Sequence, residues 1–282
     1  MDPAAQLLSI PGPVQPEIIL VDGGIVRSIA FWLWPGHKCS FLGILDQPSD
    51  QLHTSIHDPI IQRSHRVLRP CPYPHLIEDI TGVQTSKGAI SCNKLGVMAG
   101  GYGAGVCSMV GMELPVHPLT IQAMVTQPLK PFLHHVVSSG AYHCYANQTL
   151  KGEVVTGAHM DPQVNYSTDP TAHYIKHQAE SLTDFLPCLK GVRFMRIWAG
   201  LADMTPDMAP IMDGNVMYDG LYIDVGWGYF GFKSGPVAGK YMAEYLACEE
   251  APAMIKPFAL NRFYENRYMG ETAGAMNYGH WD

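Results

Sequence analysis

The chain alternates short apolar runs with Gly- and Pro-rich turns, and only a few stretches carry a helical period. The run at 18–21 is continuously apolar and predicts a buried strand. Asp22-Gly23-Gly24 turns the chain, 25–34 suits a helix stopped by Pro35-Gly36, and 41–45 is a second apolar strand leading to Asp46. These pieces make a βαβ unit of the size that opens a dinucleotide-binding domain. Residues 47–75 then carry Pro48, Pro59, Pro70, Pro72 and Pro74 with little periodicity, and read as an irregular connector.

Order resumes at residue 76. A hairpin is predicted over 82–90 around Ser86-Lys87-Gly88, and 95–98 is a short buried strand entering Ala99-Gly100-Gly101. Residues 115–131 are Pro-punctuated and extended, with a strand at 123–126. Strands at 142–145 and 154–157 flank a turn at Lys151-Gly152. Helical spacing over 171–185 places Ile175, Ala179, Leu182 and Leu186 on one face, with Asp169 as N-cap and Pro170 at the first helical position. The apolar run 221–225 leads into five glycines, from Gly226 to Gly239, and a helix is predicted at 237–246 before an irregular tail. No internal repeat is present.

Composition narrows the function classes. The 282 residues have ordinary apolar content and a net charge of −7, with no basic stripe, which argues against nucleic acid. Seven cysteines without a CxxC pair fit a reducing compartment, so a cytoplasmic location is expected. The pairs His134/His135 and His173/His177 lack a third ligand at a recognisable spacing, so no metal is expected. The first sixteen residues hold four prolines and no basic start, and no apolar run reaches membrane-spanning length; neither a signal peptide nor a membrane segment is expected.

Three segments carry candidate chemistry. A G-x-G-x-x-G fingerprint would fall on Asp22, Gly24 and Arg27, so only the middle glycine stands, with Gly23 beside it and Asp46 where a ribose-binding acid belongs. Spacing alone does not separate a nucleotide site from an ordinary βαβ turn. GVMAGGYGAG (96–105), taken without context, is a tight strand-to-helix turn. The segment after 221–225 is strand, Gly-rich turn, then helix, an arrangement that brings backbone N–H groups against an anionic ligand. Its aromatic neighbours, Trp227, Tyr229, Phe230 and Phe232, predict that Lys233 is shielded from water. Thr205-Pro206-Asp207 reads as a rigid turn feeding a strand.

Five motifs in order carry a resemblance: HPLTIQAMVTQPLKP (117–131), KGEVVTGAHMD (151–161), WAGLADMTPDMAPIMD (198–213), GLYIDVGWGYFGFKSGPVAGKYMAEYLA (220–247) and PFALNRF (257–263). With them the chain resembles the FAD-dependent oxidoreductases of the D-amino-acid oxidase class, and within that class the beta-subunit family of heterotetrameric sarcosine oxidases. The resemblance implies an α/β (mixed α+β) fold: a shortened Rossmann-like FAD-binding domain at 17–46, 76–114 and 196–250, an interleaved antiparallel-sheet substrate domain at 115–195, and the connector 47–75. It implies FAD as cofactor, with Gly23, Gly24 and Asp46 at its ADP part, Ala99, Gly100 and Gly101 at a second turn, and Gly228, Tyr229, Gly231, Phe232 and Lys233 facing the flavin ring. Lys233 matches the lysine that binds the substrate carboxylate. The implied reaction is oxidation of a small secondary amine or amino acid by a beta-type subunit with an alpha-type partner, and FMN between the subunits.

Two departures oppose part of this. Asp22 puts a carboxylate near a diphosphate and Arg27 a long side chain where helix and strand should touch, which weakens a nucleotide grip. The family also has a longer segment where 47–75 stands, bearing a substrate-binding arginine and the FMN-linking histidine. His65 lies in that region without matching neighbours, and the FMN role does not carry over to it. The competing expectation is a truncated or non-catalytic relative that keeps the partner-binding substrate domain and holds FAD weakly or not at all.

Overall fold

In this computed structural model the described residues are 18–22, 39–43, 61–65, 78–85 and 88–269. They divide into two compact units, both discontinuous: 1–98 with 212–224 and 235–256, and 99–211 with 225–234 and 257–282. The predicted helix at 25–34 lies outside the described residues, as do Gly23, Gly24, Arg27 and Asp46.

The first unit begins with β1 (Ile18–Asp22), β2 (Cys39–Gly43), β3 (Ile61–His65), β4 (Glu78–Thr85), β5 (Gly88–Ser91) and β6 (Lys94–Val97). Both predicted strands of the opening unit are present, and β1 pairs parallel with β2 and with β6. Leu95 and Val97 of β6 are fully buried, as expected of a parallel strand covered on both faces. β4 and β5 form the predicted hairpin, closing on the pair Thr85↔Gly88. The connector 47–75 is not wholly irregular, because β3 pairs antiparallel with β4. Its sequence IQRSH has a single apolar residue, so no apolar pattern marks it; main-chain pairing to β4 makes the strand.

The second unit holds α1 (Gly103–Ser108), β7 (His117–Thr126), β8 (Val137–Ser139), β9 (Cys144–Gln148), β10 (Val154–Val164), α2 (Ala172–Phe185) and β11 (Phe194–Met204). Its sheet runs β11-β7-β10-β9-β8 and every neighbouring pair is antiparallel. β7 is longer than the predicted 123–126, because its pairing with β11 extends to His117↔Met204 and carries Pro118 near the strand's start, a position proline tolerates. β10 carries a bulge between Gly157 and Met160, where Ala158 has φ 119°.

Helix α2 packs its Tyr174, Gln178 and Leu182 inward, whereas Ile175 of the predicted apolar face is exposed. The buried polar groups explain the rotation. Tyr174 O–H donates to the Gln122 carbonyl at 2.6 Å, and Gln178 Nε2 donates to Thr156 Oγ1 at 2.7 Å. Satisfied in this way, polar side chains occupy a face that hydrophobicity assigns to others. The N-cap is Thr171, two residues beyond the predicted Asp169; its Oγ1 accepts from Tyr174 N–H at 3.3 Å.

The chain completes the first unit with β12 (Ile211–Gly214), β13 (Tyr218–Asp219), β14 (Leu221–Val225) and most of α3 (Gly231–Cys248). The larger sheet is ordered β12-β14-β6-β1-β2, with β14, β6, β1 and β2 parallel to their neighbours in that run, and a smaller sheet is ordered β13-β4-β3 with β5 on β4. All five residues of β14 are buried. Helix α3 starts six residues before the predicted 237 and contains Pro236. The tail is built of short turns at Lys256–Phe258 and Leu260–Phe263, with Leu260 and Arg262 buried.

Candidate functional site

The passage from β14 into α3 is shaped by Asp203, near the end of β11. Gly226 and Gly228 both take positive φ, 80° and 55°. A Cβ at Gly226 would lie 2.5 Å from Thr205 Cγ2, and one at Gly228 would lie 2.8 Å from Met204 Sδ. Only glycine meets both demands at these positions. Asp203 is 4% exposed. Its Oδ2 accepts from Gly226 N–H at 2.6 Å and its Oδ1 from Gly228 N–H at 3.0 Å. The turn's leading N–H groups therefore meet an internal carboxylate, where an external anion was expected. Burial pushes the Asp203 carboxyl above its ordinary pKa, against the lowering effect of the N–H groups of Gly226, Trp227 and Gly228.

Four residues on, Asp207 forms a buried ion pair with Arg262. Arg262 Nε lies 2.7 Å from Oδ2 and Nη2 lies 3.0 Å from Oδ1, with both side chains 2% exposed. Arg262 also donates to the carbonyls of Phe258 and Ala209 at 2.8 Å, and Met269 N–H donates to Asp207 at 3.0 Å. The Thr205-Pro206-Asp207 turn feeds strand β12 as predicted, and Thr205 Oγ1 closes it by donating to the Ala209 carbonyl at 2.7 Å. Spacing did not reveal the partner in PFALNRF; the signal was a single charged residue, Arg262, in a mostly apolar motif.

The ring-facing candidates follow the anchored turn. Phe230 N–H donates to the Trp227 carbonyl at 2.9 Å, and Trp227 to Gly231 are half-buried. Helix α3 begins at Gly231, and its early N–H groups are those a helix start leaves without intrahelical acceptors. Gly235, Ala238, Gly239 and Met242 face inward, which turns Phe232 and Lys233 outward. Phe232 is 99% exposed. Lys233 is exposed too, not shielded, with Nζ 4.6 Å from the centre of the Phe230 ring. The expected aromatic shelter is one ring under the ammonium.

Ala99, Gly100 and Gly101 form the predicted strand-to-helix turn after β6. Gly101 is buried, and a Cβ there would stand 2.6 Å from Leu201 Cβ. That closeness fixes the glycine through packing on β11.

The histidines gather more than their spacing suggests. The ring centres of His173 and His177 are 4.2 Å apart, those of His177 and His159 6.2 Å, and those of His159 and His143 6.0 Å. His159 Nε2 is hydrogen-bonded to Ser181 Oγ at 2.9 Å. Among the described residues no group of three or more His, Cys, Asp or Glu is arranged to hold a metal ion. Burial pushes Cys92 up to about 11 and Cys107 up to about 12, so both stay protonated and unreactive at neutral pH. No helix among the described residues is long and apolar enough to cross a membrane.

Parallel pairing of β1 with β2 and β6 and of β14 with β6, an antiparallel sheet in the second unit and a Gly-rich turn leading into a helix make a fold of the kind that FAD-dependent oxidoreductases have. The FAD dependent oxidoreductase family matches residues 59–245, and the chain belongs to that family. It is 35% identical over 196 residues to sarcosine oxidase subunit beta of Rhodobacter capsulatus, covering 70% of this chain and 47% of the relative. To the subunit of the same name from Rhizobium meliloti it is 38% identical over 184 residues, covering 65% and 44%. The chain thus spans about half the length of these curated relatives. Among solved structures, glycine oxidase of Bacillus cereus superposes with a TM-score of 0.65 at 15% identity, over 87% of this chain and 98% of that one.

Proposed function

We propose that the chain works as a beta-type subunit of a flavin-dependent oxidase for a small secondary amine or amino acid. The observation that carries this is the 34–38% identity to sarcosine oxidase beta subunits over a region that includes the anchored turn. The turn's geometry is compatible with FAD. Tyr229 to Gly231 are half-buried and Phe232 and Lys233 exposed, glycines would let the backbone approach a flat ring, and the first turn of α3 offers N–H groups to charge developing there. Ala99 to Gly101 would serve a second contact, and Gly23, Gly24 and Asp46 the nucleotide end. FAD would accept a hydride equivalent from the carbon beside the amine nitrogen. Lys233 would hold the substrate carboxylate and set that carbon's orientation. An alpha-type partner, with FMN at the shared surface, belongs to the same reading and draws on the relatives' designation as beta subunits.

The test is flavin content and turnover. Purified alone and with an alpha-type partner, the chain should carry bound FAD that bleaches anaerobically with sarcosine, proline or glycine. A colourless chain that FAD cannot reconstitute overturns the proposal. Lys233→Ala should keep the flavin spectrum and lose amine turnover; unchanged turnover removes Lys233 from the site.

A second reading has its own support. Asp22 and Arg27 in place of fingerprint glycines suit a relative that keeps the fold without the chemistry. The colourless outcome selects it.

A further inference from the structure

Asp203 does a task that neither the motif nor the fold alone assigns to it. Successive N–H groups in a turn with positive φ form a concavity that attracts an anion. Here the concavity is filled from within: Gly226 and Gly228 donate to the two carboxylate oxygens at 2.6 and 3.0 Å, and Gly228 N–H also lies 3.0 Å from the Asp203 carbonyl. The walls are equally tight, since a Cβ on either glycine would collide with Thr205 or Met204, the residues that follow Asp203 on the same strand end. The carboxylate is buried and its oxygens are engaged by backbone, so it is held in one place.

We propose that Asp203 is the positioning residue of this site, an internal anion that locks the turn at 226–228 and thereby fixes where residues 229–233 present their backbone. Its role toward the flavin rests on the reading given under Proposed function; its role as anchor of the turn does not. The consequence for ligand choice is specific. A phosphate or carboxylate cannot use the N–H groups of Gly226 and Gly228, so the donors left for a ligand's negative charge begin later, at the start of α3.

The experiment uses the full chain and Asp203→Asn. Asparagine keeps the shape and one acceptor oxygen but turns an NH2 group toward the second N–H. Residue-resolved amide exchange on the wild type should show Gly226 and Gly228 protected like the amides of β14, and at least one of the two exchanging faster in Asp203→Asn, which keeps a single acceptor oxygen. Fast exchange of both amides in the wild type overturns the anchor even if the variant fails to fold. Where the wild type binds FAD, Asp203→Asn should bind it about tenfold or more weakly and shift the midpoint potential of the bound flavin. Weaker exchange protection with unchanged affinity and potential overturns the positioning role. A wild type that binds no FAD sinks the oxidase reading alone, and amide exchange still judges the anchor.

Discussion

Asp203 and Asp207 stand four residues apart and titrate in opposite directions. Burial raises both, but at Asp207 the Arg262 hydrogen bonds and charge, with the N–H groups of Met269 and Ala209, outweigh burial and bring the carboxyl below its ordinary value. At Asp203 burial outweighs the N–H groups. Linkage fixes the signs. Asp207 contributes stability that is present above the unfolded carboxylate pKa and lost as pH falls through its lower folded value. Asp203 contributes stability that is present below the unfolded pKa and declines as pH rises through its raised folded value. Urea midpoints across the acid range should therefore show the wild type gaining on Asp207→Asn with rising pH and losing ground to Asp203→Asn. Removing one partner of the buried pair is harsher. Arg262→Ala leaves Asp207 buried without its cation and is expected to cost about 3–5 kcal/mol in equilibrium unfolding. Gly226→Ala, forced into positive φ and against Thr205, should cost about 1–3 kcal/mol by the same measurement.

Among the elements, strands with apolar runs were legible and strands held by pairing were not. Runs 95–98 and 221–225 announced β6 and β14 because both faces of a parallel strand are covered. The polar β3 had no such mark. Helix α2 was found at its right place with its face only partly read: Leu182 is buried, but Ile175 is exposed, since hydrophobic period cannot anticipate that Gln178 and Tyr174 will find partners on β9, β10 and β7. Its cap is testable. Thr171→Ala removes the acceptor for Tyr174 N–H and contacts to Gln122 and Asp161, and should lower stability by about 1 kcal/mol or more. The side of β10 that meets Ser181 of α2 also carries a pH dependence. Burial, then the neighbouring His143, His177 and His173, lowers the His159 pKa. A depressed histidine gives stability that is complete above the unfolded pKa, about 6.5, and is lost as pH falls through the folded value. His159→Asn should flatten that acid-side loss in a series of thermal melts.

Across the whole molecule, the chain passes between its two units at 98–99, 211–212, 224–225, 234–235 and 256–257. The sequence marked strands of both units, 18–21 and 95–98 in one and 123–126 and 154–157 in the other, but not this threading, which depends on contacts between distant segments. The buried pair illustrates the difference. Asp207 and Arg262 are 55 residues apart, and only folding makes them neighbours. One consequence concerns truncation. A chain ended at Lys256 loses Arg262 and Met269 together, the cation and one of the N–H donors of Asp207. It should melt at a temperature lower than Arg262→Ala does, and a melting temperature equal to the full chain's would show that the tail contributes nothing to the fold.

The packing of Leu201 against Gly101 bears on how libraries of variants should be scored. A survey that selects on catalysis would register every replacement at Gly101 as a loss, and the position would look like a cofactor contact. The same loss arises when an added methyl group pries the turn from β11 and the protein is cleared from the cell. Scoring cellular abundance beside catalysis separates the two. Gly101 is expected to fall on both scales, whereas Lys233, exposed with its ammonium over the Phe230 ring, should under the proposed function fall on the catalytic scale alone.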